Sequence, residues 1–366
     1  RAPLAGGRVP RIVTVLGRDE IAAAPAQSVN DLLKYAVGVD VRQRGPIGAQ
    51  TDIGIRGGTS EHIAILLNGV NICDPQTGHN AFDLPVDISD IERIEVVEGP
   101  AGRIYGTSSL LGTVNIVTKA ADASSIEARV EGGSFGYADA GARLGLVTGK
   151  WSNTVSGGYT RSDGYLRSKS GSLNADYSGG RAFYQGRYAD GNVALDWHAG
   201  VSTKGWGSNT FYSTLSDEQY EHTTKYFTAV KAETKGGWFH FLPSVYWNRF
   251  NDRYEFYRGA PDRSPFNYHR TELGVQKRFW FSAFGYADLI AKAGKVWSKV
   301  PYPLLIIPNA NLTYTIQPEA YTNMNAMEFI NDEYMSWDLT YYLNGNLFNR
   351  IPLIKKLKWR EVFCFR

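Results

Sequence analysis

Hydrophobic and polar positions fall into two textures along this chain. In the first third, short β-branched runs are interrupted at close intervals by glycines and charges. Residues 11–16 (RIVTVL), 39–43, 53–56, 63–67, 91–97 and 110–119 (LLGTVNIVTK) read as short strands. One segment has a different period: in SVNDLLKYAVG, Val29, Leu32, Leu33 and Ala36 share a helical face, with Ser28 as cap and Gly38 as stop. Asn68-Gly69, directly after IAILL, predicts a hairpin turn. From Ser125 onward, runs of roughly ten residues alternate apolar with small or polar side chains, separated by Gly, Asn and Asp turns. That period of two predicts long antiparallel strands with one apolar and one polar face.

The expected fold class is therefore mostly β. A small mixed α/β plug domain, residues 1–124, precedes antiparallel transmembrane β-barrel strands, residues 125–366. The first domain is too dense in turns to rest on one large apolar core, which suits a domain seated inside a container. Strand length and turns give roughly a dozen strands in the second. So few strands make a barrel too narrow for a plug of this size, and the barrel reads as incomplete or composite.

Composition sharpens this picture. No run of about 18 apolar residues exists, which excludes a helical membrane span and leaves a closed barrel as the membrane-crossing alternative. Tyr (22) and Trp (9) greatly outnumber Met (3), as suits side chains that meet a membrane interface. Trp206, Phe211, Tyr212, Trp238, Trp247, Tyr254 and Tyr257 sit near strand ends and are expected in an interfacial ring. A net charge of +3 gives no field that would recruit nucleic acid. The two cysteines, Cys73 and Cys364, form no disulfide framework and no C-x-x-C motif. The opening RAPLAGGRVPR reads as a mature or incomplete start.

Catalytic motifs are missing: no nucleophile elbow, no H-E-x-x-H and no P-loop. The reading is a non-enzyme with no cofactor and no metal site. Six scattered histidines lack ligand spacing; His79 stands out because it shares a long loop with Asp74, Gln76 and Asn80. A loop that long within a compact domain is usually functional. Glu92, Glu95 and Glu98, interleaved with Arg93 and followed by Arg103, read as a salt-bridge lattice. Lys355, Lys356, Lys358 and Arg360, among Leu353, Ile354, Leu357 and Trp359, read either as a charged turn or as a contact with anionic headgroups.

Several motifs in this order and spacing carry a family resemblance: SVNDLLKYAVGVDV, DIGIRGG, ILLNGV, IERIEVVEGP, AGRIYG and GTVNIVTK. Residues 9–120 resemble the plug of TonB-dependent outer-membrane receptors, and the likeness extends into the first barrel strands. DPQTGHN resembles the members near cobalamin and siderophore receptors. The tail, about 273–363, resembles a different outer-membrane barrel family of unknown function associated with carboxypeptidase-regulatory-like domains, which sets an expected junction near Leu273. Its carriers are VPYPLLIIP, MNAMEFINDEY and NGNLFNRIPLIKKLKWREV.

The resemblance implies an outer-membrane receptor that takes up a scarce nutrient such as cobalamin or a chelated metal. The alternative is a non-transporting plugged barrel serving as a structural subunit of an outer-membrane complex. Implied partners are outer-membrane lipid, the periplasmic TonB energy-coupling protein, and a surface lipoprotein lid or other outer-membrane subunits. Expected ligand contacts from the plug loops are Arg44, Gln50, Asp74, Gln76, His79 and Asn80. Arg56, by motif match, with Glu98 and Arg103, is the implied latch that holds plug to barrel.

Overall fold

The computed structural model describes residues 13–43, 50–73, 83–99, 111–211, 213–235, 240–260, 268–299, 305–306, 328–352 and 354–365. The N-terminal part holds β1 (Val13–Leu16), α1 (Arg18–Ala23), α2 (Val29–Leu33), β2 (Val39–Gln43), β3 (Thr51–Ile55), β4 (Ile63–Leu67), β5 (Val70–Asn71), β6 (Ile91–Glu98) and β7 (Gly112–Thr118). Five of its strands form one sheet in the order β1-β6-β7-β4-β5, with β4 and β7 parallel. β2 and β3 pair separately.

Ile63, Ile65, Leu67, Ile94, Val114 and Ile116 make the centre of the apolar cluster in this domain, packed against Leu32 and Leu33 from α2. β4 is buried at every position, which explains its uninterrupted IAILL where an edge strand would alternate.

Two local readings change. The helix predicted as far as Gly38 ends at Leu33, because the N–H groups of Tyr35 and Ala36 turn to i→i+3 bonds with Leu32 and Leu33. Its Ser28 cap is real: Oγ accepts the Asp31 N–H at 3.2 Å. The short α1 has no sequence-level signal from a Ser, Thr, Asp or Asn cap. Gly17 occupies that position, and the Glu20 carboxylate reaches back to its N–H at 2.7 Å.

The second part is one antiparallel sheet of eleven strands in sequence order, β8 (Ser125–Gly132), β9 (Ala138–Thr148), β10 (Trp151–Ser162), β11 (Tyr177–Ala189), β12 (Val193–Asn209), β13 (Gln219–Thr234), β14 (His240–Glu255), β15 (Tyr268–Trp280), β16 (Tyr286–Val296), β17 (Glu333–Tyr342) and β18 (Val362–Phe365). It runs unbroken through Leu273, since β15 pairs residue for residue with both β14 and β16. Among the described residues β8 and β18 each pair on one side only, so this wall does not close.

Alternation sorts the wall into two faces. Ile126, Val130, Leu144, Val155, Val230, Val245, Leu273 and Met335 are exposed on the outer face. The inner face carries Arg143, Thr154, Ser156, Gln185, His198, Thr223 and Lys225, all buried. Apolar outside and polar inside is the arrangement that lipid demands of a barrel wall. Trp206, expected in an interfacial ring, is 2% exposed and lies on the inner face beneath the Lys204 ammonium, 4.4 Å from its ring. It shares the parity of Lys204 and so points with it. Tyr212 and Trp238 lie outside the described residues.

Candidate functional site

The N-terminal domain meets the inner face of the wall chiefly through one segment, residues 83–90 (DLPVDISD). The sequence folds it locally. Asp87 caps a 3₁₀ turn, Ile88–Asp90: its Oδ1 accepts the Ser89 N–H at 3.0 Å, while Asp90 Oδ2 accepts the Asp87 N–H at 2.9 Å. With both ends of the turn closed, the remaining carboxylate oxygens are held toward the wall.

Three aspartates then step across successive strands. Asp83 lies at 2.5 Å from Lys204 Nζ on β12 and takes the Thr223 hydroxyl from β13 at 2.5 Å. Asp87 accepts from the Arg181 guanidinium on β11, through Nε at 3.0 Å and also through Nη2, and from Arg129 on β8 at 3.3 Å. Asp90 takes the Ser156 hydroxyl from β10 at 2.7 Å and faces Arg143 of β9 at 3.4 Å. Asp139 on β9 shares Arg129, at 2.5 Å, with Asp87 and so braces the cation from the wall side. Between Asp83 and Asp87, Pro85 rests on Gly200, where an added Cβ would stand 2.6 Å from the Pro85 Cβ. Only glycine permits that approach.

Burial works to raise the Asp87 carboxyl, but the Arg181 guanidinium, the Ser89 N–H and Arg129 outweigh it and hold its pKa below the usual range. Burial dominates at Asp90, and with the Asp87 charge nearby its pKa is raised. Beside this ladder, between plug and wall, lies a cavity of about 110 Å³ lined by Asp83, Asp87, Arg129, Thr160, Tyr177 and Arg181. Leu84, Val86 and Ile88 line the cavity as well, so charged and apolar groups share its wall.

A second anchor is uncharged on the plug side. The Asn68-Gly69 turn has the two positive φ values, 52° and 77°, that a hairpin of this type needs. Asn68 Nδ2 donates to Thr118 Oγ1 at 2.8 Å and lies 2.9 Å from His198 Nε2 of the wall, while its Oδ1 accepts the Thr118 N–H at 2.9 Å. Lys231 of β13 donates to the Asn68 carbonyl. Thr118 in turn donates to Gln185 of β11 at 2.5 Å.

Of the residues expected from sequence, Arg56 and Glu98 are brought together at 3.0 Å. Both belong to the plug, joining the ends of β3 and β6. Glu98 fits there because Gly38 has no side chain: a Cβ would lie 2.5 Å from its Oε1, and Gly38 has φ +85°. Gln50 is buried, and its Nε2 donates to Asp52 at 3.0 Å. Arg44, Asp74, Gln76, His79, Asn80 and Arg103 lie outside the described residues. Among the described residues no group of three or more His, Cys, Asp or Glu is placed to hold a metal ion. Sequence reasoning missed Asp83, Asp87, Asp90 and their cations. The available signal was the spacing D-x-x-x-D-x-x-D before a strand, matched by arginines on one parity of the first wall strands.

A small mixed domain is thus seated by acidic side chains on the polar face of a long antiparallel sheet whose opposite face is apolar, the arrangement of a plug against an outer-membrane barrel wall. Residues 7–113 match the TonB-dependent Receptor Plug Domain model. The chain is 28% identical over 227 residues to "Vitamin B12 transporter BtuB" of Vibrio vulnificus, covering 57% of this chain and 36% of that protein. It is 32% identical over 142 residues to the protein of the same name from Photobacterium profundum, covering 38% and 23%. The siderophore receptor PirA from Pseudomonas aeruginosa superposes with TM-score 0.57 at 16% identity, over 90% of this chain and 52% of that one. The unliganded ferric citrate transporter FecA gives 0.59 at 14% identity, over 90% and 52%. Residues 7–113 thus match the plug of TonB-dependent receptors, and the chain as a whole shares the fold of solved outer-membrane receptors. It spans about half the length of these solved structures and about a third or less of these curated relatives.

Proposed function

We propose that this chain forms the plug, residues 1–124, and wall strands, residues 125–366, of a TonB-dependent transporter that takes up a scarce nutrient, cobalamin or a chelated metal. The observation that carries the reading is the Asp83–Asp87–Asp90 ladder, with a small cavity beside Asp83 and Asp87. A domain that must be shifted to open a path needs contacts that hold it in register and rehydrate readily. Buried polar pairs fix the register and can exchange their partners for water as the domain moves, whereas a fused apolar core could not. The vitamin B12 transporters among the relatives favour cobalamin.

In this reading Arg44, Gln50, Asp74, Gln76, His79 and Asn80 contribute ligand contacts. Arg56, Glu98 and Arg103 form the latch that holds plug to barrel, beside the aspartate ladder that seats the plug. Periplasmic TonB supplies the pull.

The test is uptake of radiolabelled cyanocobalamin by cells expressing the full protein as their sole candidate receptor, with and without TonB. Uptake should require TonB and the proton gradient. Uptake that persists unchanged without TonB would overturn the transporter reading. Binding of ligand without any uptake would leave a plugged, non-transporting barrel subunit in its place.

A further inference from the structure

Connections between wall strands alternate in length. At one rim they are short: residues 149–150, 190–192 and 281–285. At the other they are longer, as in 163–176 and 210–218. In a membrane barrel the short turns face the periplasm. Residues 343–361, joining β17 to β18, lie at the short-turn rim and are long for it.

This connection holds five cations, Arg350, Lys355, Lys356, Lys358 and Arg360, against one carboxylate, Glu361. Glu361 is buried and accepts the Phe348 N–H, so its charge is spent within the turn. The described cations make no ion pair among the described residues. Leu347, Ile351, Leu357 and Trp359 are exposed beside them, Trp359 at 56%. Two 3₁₀ turns, Phe348–Arg350 and Ile354–Leu357, fold the stretch, and Phe348 meets Trp359 edge-on at 6.4 Å.

The patch is continuous with an aromatic band at the same rim. Tyr342 stacks on Tyr286 at 4.7 Å, Trp280 lies 5.1 Å from Tyr286, and the Arg278 guanidinium sits 4.3 Å over Tyr286. Such rings mark headgroup level. Apolar side chains that water would disfavour, cations without acidic partners among the described residues, and a neighbouring interfacial band share one requirement: a surface that is apolar on one side and anionic on the other.

We propose that residues 343–352 and 354–361 lie in the periplasmic-leaflet interface and bind anionic phospholipid headgroups. Lys355, Lys356, Lys358 and Arg360 reach the phosphates while Leu357 and Trp359 enter the acyl boundary. The proposal rests on the outer-membrane assignment and not on transport. Each cation near an anionic surface contributes on the order of five-fold in affinity at moderate salt.

The full protein is reconstituted in phosphatidylethanolamine vesicles carrying brominated phosphatidylglycerol or brominated phosphatidylethanolamine. The Trp359 signal is isolated as the difference between wild type and Trp359→Phe. Brominated phosphatidylglycerol should quench it at roughly ten-fold lower mole fraction. That preference should vanish in high salt and in the Lys355→Gln/Lys356→Gln/Lys358→Gln variant, while Lys150→Gln on a short turn keeps it. No quenching by either lipid, or equal quenching by both regardless of salt, would overturn the proposal.

Discussion

At the residue scale, Asp87 and Asp90 are three positions apart on one turn, yet their pKa values are shifted in opposite directions. Asp87 has a folded pKa below the unfolded value of about 3.9, so its stabilisation is complete above that pH and lost as pH falls through the lower folded value. Asp90 is raised, so its contribution is present below the unfolded pKa and lost as pH rises through the raised one. Asp87→Asn leaves Arg181 and Arg129 facing a neutral amide and should cost ~3 kcal/mol at pH 7. Asp90→Asn keeps an acceptor for Ser156, and Arg143 retains Glu127 at 3.3 Å and the Lys119 carbonyl at 3.1 Å, so the cost should be smaller, about 1 kcal/mol. Denaturant titration of both variants at pH 7 and pH 4 checks this. The gap between them should narrow at pH 4, and equal costs at both pH values would contradict the assignment.

At the element scale, segment 83–90 depends on what the wall leaves out opposite it. Gly200 admits Pro85, so Gly200→Val should lift the segment from β12 without disturbing the outer face of the wall. Hydrogen exchange at the amides of residues 83–90 should speed up by about ten-fold or more, while β4 amides stay protected. Unchanged protection would mean that the segment seats without Pro85. Much of this element could be read beforehand and much could not. D-I-S-D announces a capped turn, because those bonds lie within four residues. That its free oxygens meet Arg181, nearly a hundred residues later, depends on which strand of the wall stands opposite. Local patterning is silent about that.

For the whole molecule, the two-faced wall makes the membrane assignment testable. Val155→Arg, on the outer face of β10, should cost about 2–4 kcal/mol in lipid vesicles. Leu166→Arg, in an exposed connection, should stay within ~0.5 kcal/mol. Equal tolerance at the two sites, measured by denaturant unfolding in vesicles, would argue against lipid on the outer face.

The sequence by itself determined the strand texture, the β4 strand, the Ser28 cap, the Asn68-Gly69 turn and the family motifs. All of these follow from neighbours a few residues apart or from a period of two. It also set the parity of the wall, since Leu144 and Val155 must lie opposite Arg143 and Ser156. Only the tertiary structure decided that the carboxylates seating the plug come from Asp83, Asp87 and Asp90 and that their cations come from the wall. It also put Trp206 inside rather than at the membrane and paired Arg56 with Glu98 within the plug. Charge pairing acts over a few ångströms in space and carries no periodic trace along the chain, so a partner chosen by the fold stays invisible until the fold is known.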